Sequence, residues 1–437
     1  MYHSTKPYNR RQALAPRAWR THRAALAALA LLGGAAHAQD DLPREGAGCG
    51  LDGVEGRVSV LANDFVTTNV LADAMRACAH DGLEIDVNLN TEVRDIQVAA
   101  LSAKPAAYTA VLTANGSVVP LLNDNLVRPL NDLVDELGTG IAERQKITLG
   151  GDVMAIAFMT NAQHLVYRQD VLDELGLAPP TTWDDVIEAA AAVRESGLMD
   201  DPIAGTYKTG FNLGLEFVNH YLALGGALFE GETAAPAIVN DTAVAALERM
   251  KRITEYMDPD FLTMDTKLVV AEMEQGAAAF ANVWGSSAGA VLDRQGAAEG
   301  VVEHLRLAAA PLVGEPGRPA STLWWDGFTI ARNVEDADAA ATFRVLAAST
   351  GVDVANANPE AAVWLAEGYE PVATDAGVFA TIDAGAAPYP VLPWMSLMNV
   401  ALGTELVEFL QGSESAEQAL RDVEASYRTQ AADAGFL

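Results

Sequence analysis

The chain has 437 residues, 50% of them hydrophobic and 20% charged, with 28 Lys+Arg against 59 Asp+Glu and a formal net charge of −31. Such a length makes two or three domain-sized units, and the composition excludes collagen, coiled coil, a disulfide scaffold and a wholly disordered chain. The acidity argues against nucleic acid and anionic lipid surfaces as partners, because both would be repelled.

The first residues stand apart. Residues 1–38 carry Lys6, Arg10, Arg11, Arg17, Arg20 and Arg23 and no acid; an apolar run, 24–32, is followed by Ala36-His37-Ala38. A basic region, a short apolar region and an A-x-A site describe a secretory signal peptide, cleaved after Ala38. The apolar run falls short of the roughly 20 residues that span a bilayer. Arg10-Arg11 leaves the twin-arginine route open beside the general one, although Gln12-Ala13 follow. No Cys follows the cleavage site, so no lipid anchor is expected, and no later stretch is apolar for long enough to predict a transmembrane helix. Loss of the signal leaves the mature part more acidic than the whole chain. In an oxidising compartment Cys49 and Cys78 can pair, tying a Gly-rich leader over 39–56 to the first helix. The other reading is a core thiol at Cys78 and a stray one at Cys49.

In chain order, 57–62 reads as a buried strand and 70–78 as a helix with Val70, Leu71, Ala74, Met75 and Cys78 at helical spacing. Leu83, Ile85, Val87 and Leu89 alternate with polar residues, which is strand patterning, and 108–113 is another strand. Strands alternating with helices predict βαβ units and a parallel sheet. A second region starts near Asp152, with strands over 154–159 and 165–167 and a helix over 170–175 stopped by Gly176. Thr182 with Asp185 forms a capping-box pattern ahead of a long helix. Further helices are predicted over 242–256, 336–349 and 414–430, and a strand over 277–283 ending at Trp284-Gly285. No internal repeat or low-complexity linker separates these, so two intimate α/β lobes are expected.

Catalytic motifs mostly fail. Gly285-Ser286-Ser287-Ala288-Gly289 fits the G-x-S-x-G nucleophile elbow. However, the only histidine after Ser287 is His304, too near in sequence to return a catalytic loop across a sheet. The histidines at 3, 22, 37, 80, 164, 220 and 304 form no H-E-x-x-H, and there is no C-x-x-C, phosphate loop or dinucleotide fingerprint. No cofactor and no metal are expected. Trp284 at a strand end, Trp325 in the Trp324-Trp325 pair and Trp394 after two prolines lie where rings can face a cleft, an arrangement that suits stacking on sugar C–H faces. Core packing is the alternative for any single one of them.

Several stretches resemble the family 1 extracellular solute-binding proteins of ABC importers, the maltose-binding-protein-like group. They are Ala114-Asn115-Gly116-Ser117 leading into Leu126-Val127-Arg128-Pro129-Leu130; Leu165-Val166-Tyr167-Arg168-Gln169-Asp170-Val171-Leu172 continuing to Trp183-Asp184-Asp185; Leu224-Gly225-Gly226-Ala227-Leu228-Phe229; Met273-Glu274-Gln275-Gly276-Ala277-Ala278-Ala279-Phe280 to Trp284; and Gly327-Phe328-Thr329-Ile330. They occur in the family's order across nearly the whole mature chain.

The resemblance implies an α/β, two-lobed periplasmic binding protein fold (type II-like), with a ligand cleft between lobes joined by a multi-strand hinge. By analogy the chain crosses near 149–158, returns near 325–328 and crosses last near 386–390. This gives an N-terminal lobe of 57–150 plus 327–388 and a C-terminal lobe of 151–326 plus 389–437. Carried over by position, the ligand contacts implied are Asn63, Asp64, Thr113, Asn115, Asn161, Asn212, Glu216, Trp284, Trp325 or Asp326, and Trp394. The chain departs from the pattern at Ala107-Tyr108-Thr109, where the family often has Asp, and at Thr113, where sugar binders often carry an aromatic ring. The implied function is capture in the periplasm, without catalysis and as a monomer, of a carbohydrate handed to inner-membrane ABC permease subunits. Asp64, Glu216 and Asp326 would suit sugar hydroxyls, and equally a cationic or zwitterionic solute such as a polyamine. The reading from another class is a secreted hydrolase using Ser287 or a carboxylate pair.

Overall fold

The computed structural model describes residues 49–437. The expected signal peptide, and the part of the leader ahead of Cys49, lie outside the described residues. The strands in chain order are β1 (Gly56–Ala62), β2 (Leu83–Leu89), β3 (Ala110–Ala114), β4 (Lys146–Leu149), β5 (Asp152–Asn161), β6 (Gln163–Arg168), β7 (Ile203–Gly205), β8 (Phe280–Trp284), β9 (Leu305–Ala308), β10 (Leu312–Val313), β11 (Arg318–Pro319), β12 (Thr322–Ile330), β13 (Val363–Trp364) and β14 (Ala387–Pro388).

The first lobe is built on a sheet of order β13-β5-β12-β3-β1-β2, with β4 added on β5 and β14 on β12. β1 lies parallel to β2 and β3, as alternating strands and helices predict. The last five residues of β1 are buried, as befits a central strand covered on both faces. The helix Val66–Arg76 turns Leu71, Ala72 and Met75 into the core beneath it. The sheet is mixed, however, because β12 runs antiparallel to β3 and β5 runs antiparallel to β12.

A further antiparallel pairing, β4 with β5, begins at Gly150-Gly151. Both glycines have positive φ (64° and 96°), and they close a two-residue hairpin pairing Leu149 with Asp152. The expected lobe boundary after residue 150 is therefore a turn inside one sheet. The chain crosses later, between Asn161 of β5 and Gln163 of β6, with only Ala162 intervening.

The second lobe holds a sheet of order β7-β8-β6-β9, in which β6 is antiparallel to both β8 and β9. The chain returns through β12, whose Thr322 and Leu323 pair with β14 while Trp324 to Ile330 pair in the first-lobe sheet. Near the last expected crossing, 386–390, β14 pairs with Thr322 and Leu323 of β12. The helix Ala376–Asp383 already packs on the second lobe, with Gly377 seated against the ring of His164 and Thr381 Oγ1 accepting from the Ala310 N–H at 2.9 Å. Residues 376–383 thus pack on the second-lobe sheet while Val378 also clusters with Val363 of β13.

Local rules hold where they are strong. Thr182 Oγ1 accepts from the Asp185 N–H at 3.0 Å, and Asp185 Oδ2 accepts from the Thr182 N–H at 2.9 Å. A disulfide joins Cys49 to Cys78 with Cα atoms 5.4 Å apart, fastening the described end of the leader just beyond the first helix. Among the described residues no helix is long and apolar enough to cross a membrane.

Candidate functional site

The ends of the strands that meet between the lobes line the principal cleft. Asn63 follows β1, Ala114 ends β3, Asn161 ends β5, Trp284 ends β8, and Trp324 and Asp326 lie on β12 at the return crossing. Carboxyl ends of strands are where α/β sheets leave room for ligand. Two adjoining cavities, of ≈240 Å³ and ≈450 Å³, share Arg94, Ala114, Asn161, Ser286 and Asp326. A third, of ≈350 Å³, opens beyond Arg94 and Phe211 between the Gly116–Pro120 turn and the helix Met395–Glu405.

The aromatic wall comes mainly from the second lobe and the hinge. Trp284 meets Trp324 edge-on at 5.8 Å and 88°, Phe211 meets Trp324 at 5.9 Å, and Tyr389 lies 4.1 Å behind Trp324. These rings are fixed by packing before any ligand arrives, which keeps the ordering cost of binding low. Phe211 owes its place to a close crossing: the Gly210 N–H donates to the Gly403 carbonyl at 3.0 Å, and a Cβ at Gly403 would lie 2.0 Å from the Gly210 carbonyl oxygen.

The polar wall is at the hinge. Asn161 Nδ2 donates to Ser286 Oγ at 3.0 Å, and its Oδ1 accepts from the N–H groups of Ser286 and Ala162. Burial pushes the Asp326 carboxyl up to about 6, although Arg94 pulls it the other way. Arg94 comes from the first turn of the helix Val93–Ser102, and its guanidinium lies 5.1 Å from the Phe211 ring centroid, across the cleft. Lys267, from the first turn of the helix Thr266–Gln275, lines the larger cavity.

Of the residues expected from sequence, Asn63, Asn161, Trp284 and Asp326 line these cavities. The others lie elsewhere. Asp64 is exposed and accepts from Asn69 at 3.0 Å. Thr113 is fully buried inside the first-lobe sheet, paired with Gly327. Asn115 is a buried brace: its Oδ1 accepts from the Trp325 N–H at 2.9 Å and its Nδ2 reaches the carbonyls of Leu323 and Tyr389.

Asn212 does not line any of these cavities; its neighbour Phe211 does. Glu216 is buried beneath them, where its Oε1 accepts from Gln163 at 2.7 Å and Thr206 at 2.6 Å. Trp325 turns away because alternate residues of a strand face opposite sides, and it is Trp324 that shares a face with Asp326. Trp394 is half-buried and packs onto the second-lobe core against Phe229 and Phe436.

Sequence reasoning missed Arg94, Phe211, Ser286, Trp324 and Lys267. The Trp324-Trp325 pair and the Gly285–Ser287 turn were the signals for two of them; an arginine on a helix carries none. The elbow motif folds as a 3-10 turn over Gly285–Ser287, and among the described residues no histidine hydrogen-bonds Ser286 or Ser287. No group of three or more His, Cys, Asp or Glu that could hold a metal occurs among the described residues.

Two α/β lobes joined by crossing strands, with an aromatic and amide-lined cleft at the hinge, define a solute-binding clamp. The sequence matches the bacterial extracellular solute-binding protein family over residues 79–367, and the chain belongs to that family. A probable ABC transporter-binding protein of Deinococcus radiodurans is 27% identical over 188 residues, a match spanning 41% of this chain and 43% of that protein, so less than half of the relative's length. The fold is similar to that of maltose-bound MalE3 from T. maritima, with TM-score 0.73 and 18% identity over 86% of this chain and 99% of that one. It is also similar to a solute-binding protein from Agrobacterium radiobacter K84 in complex with ribitol, with TM-score 0.72, 18% identity and coverage of 86% and 99%. A chitin oligosaccharide binding protein gives TM-score 0.72 and 17% identity, again over 86% and 99%.

Proposed function

We propose that this chain is an exported, monomeric capture protein of the periplasm, cleaved after Ala38. In this reading it binds a carbohydrate (sugar, oligosaccharide or polyol) and delivers it to inner-membrane ABC permease subunits, catalysing no reaction. The observation that carries the reading is the pairing of Trp284 and Trp324 with Asn161, Ser286 and Asp326 around one cleft. Aromatic planes take the C–H faces of a sugar ring, while amide, hydroxyl and carboxylate groups take its hydroxyls. The structural relatives found with maltose and ribitol, and the chitin oligosaccharide binder, support the same class of solute.

A cationic solute such as a polyamine fits less well. Of the three acids that favoured it, Asp64 and Glu216 lie outside the cleft, and Arg94 and Lys267 face the remaining one. A hydrolase reading finds no histidine hydrogen-bonded to Ser286 or Ser287 among the described residues. Thermal-shift measurements against sugars, polyols and polyamines test the proposal. A rise in melting temperature with a carbohydrate and none with polyamines is expected; the reverse pattern would overturn it.

A further inference from the structure

The charge of the cleft has the opposite sign to the charge of the chain. Acids outnumber bases more than two to one overall. Yet the cavities on either side of the hinge are lined by two cations, Arg94 and Lys267, against one carboxyl, Asp326. Neither cation forms an ion pair among the described residues. Arg94 lines all three adjoining cavities, so whatever fills any of them meets its side chain. The guanidinium is held over the Phe211 ring, which orients it without neutralising it. A neutral sugar would leave Asp326 as the single carboxyl facing two cations in a closing cleft, where water is lost and charge is costly. A carboxylate would satisfy it with a bidentate, charge-assisted pair.

We propose that the captured carbohydrate carries a carboxylate, as a uronic or aldonic acid does, and that Arg94, aided by Lys267, receives it. The proposal rests on the carbohydrate-capture reading above. Two cations and one carboxyl leave a single positive charge, which matches a monoanionic carboxylate better than a dianionic phosphate ester. The rings of Trp284 and Trp324 then take the sugar face while Arg94 fixes the direction in which the ligand lies.

Isothermal titration of the full chain with sets of hexoses, the corresponding uronic and aldonic acids, and the hexose phosphates tests this. Because charge-assisted hydrogen bonds contribute about 1.5–3 kcal/mol, a sugar acid is expected to bind at least tenfold more tightly than the neutral sugar of the same configuration. In Arg94→Gln that preference should fall to about one, and a Lys at the same position should restore part of it. A neutral sugar that binds as tightly as its acid, or a preference unchanged in Arg94→Gln, would overturn the acidic class while leaving carbohydrate capture standing. Tighter binding of the phosphates would move the assignment to phosphate esters and overturn the carboxylate. Binding of polyamines with no response to any sugar or sugar acid would overturn both readings.

Discussion

Trp284 and Trp394 look alike in the sequence, each an aromatic residue at the edge of an element, and the fold gives them different work. Trp284 ends β8 with its ring against Trp324 in the cleft, whereas Trp394 is wedged between Phe229 and Phe436. Replacing Trp284 by Ala should weaken ligand binding by about 1–2 kcal/mol, roughly tenfold, through lost stacking. Replacing Trp394 by Ala should leave affinity nearly unchanged but lower stability by about 1–2 kcal/mol through the packing it removes from a half-buried site. Titration calorimetry and urea melts of both variants separate the two roles. Which of the adjacent tryptophans 324 and 325 lines the cleft was not legible, because the face follows from pairing with β3 and β5, not from any local signal.

Glu216 shows the same limit. The resemblance implied it as a ligand contact, but the carboxyl is held in a buried chain of hydrogen bonds. Gln163 donates to it and in turn accepts from Asn219 at 2.7 Å; Asn219 accepts from Thr322 at 2.8 Å; Thr322 accepts from Trp324 Nε1 at 3.0 Å. The network thus braces a cleft ring from behind. Burial pushes the Glu216 carboxyl up from 4.5 to about 7. The folded chain therefore holds a proton that the unfolded chain has released over that interval, so stability falls as pH rises from 4.5 to about 7 and then levels. Asp326, pushed up to about 6, adds to the fall in the same direction. Glu216→Gln should flatten the decline in melting temperature across this range without abolishing it.

At the scale of elements, the strands with strong patterning were readable from their own residues: β1 and β2 by apolar runs and alternation, and the helix Asp336–Ser349 to the residue. The two-residue strands β13 and β14 carry no local signal, since they are held only by partners distant in sequence. The lobe boundary after residue 150 was carried over by analogy, and Gly150-Gly151, with both φ positive, close a two-residue hairpin there.

The close crossing of the helices Phe211–Ala223 and Met395–Glu405 is another feature of packing alone. A methyl group at Gly403 would collide with the Gly210 backbone, which cannot yield as a flexible side chain could. Gly403→Ala should therefore destabilise the chain by about 1–3 kcal/mol and displace Phe211, which weakens binding as well. Denaturant melts with titration of the same variant would register both effects.

At the scale of the whole molecule, the acidity that opened the sequence reading belongs to the outer surface and not to the cleft. An acidic surface favours solubility, while the cleft itself presents Arg94 and Lys267. Two lobes that meet at short crossings, with only Ala162 between β5 and β6, form a clamp whose closure a ligand favours by its greater affinity for the closed form. The fold class was legible because five ordered segments and alternating elements pointed to it together. The site was only half legible, because its cations come from helix starts and its rings from strand register.

Tryptophan fluorescence titration of the purified chain probes the cleft directly, since Trp284 and Trp324 line it. A saturable change with a sugar or sugar acid, diminished in Trp284→Ala, is the result this account predicts. A saturable change with a polyamine, and none with any carbohydrate, would contradict it.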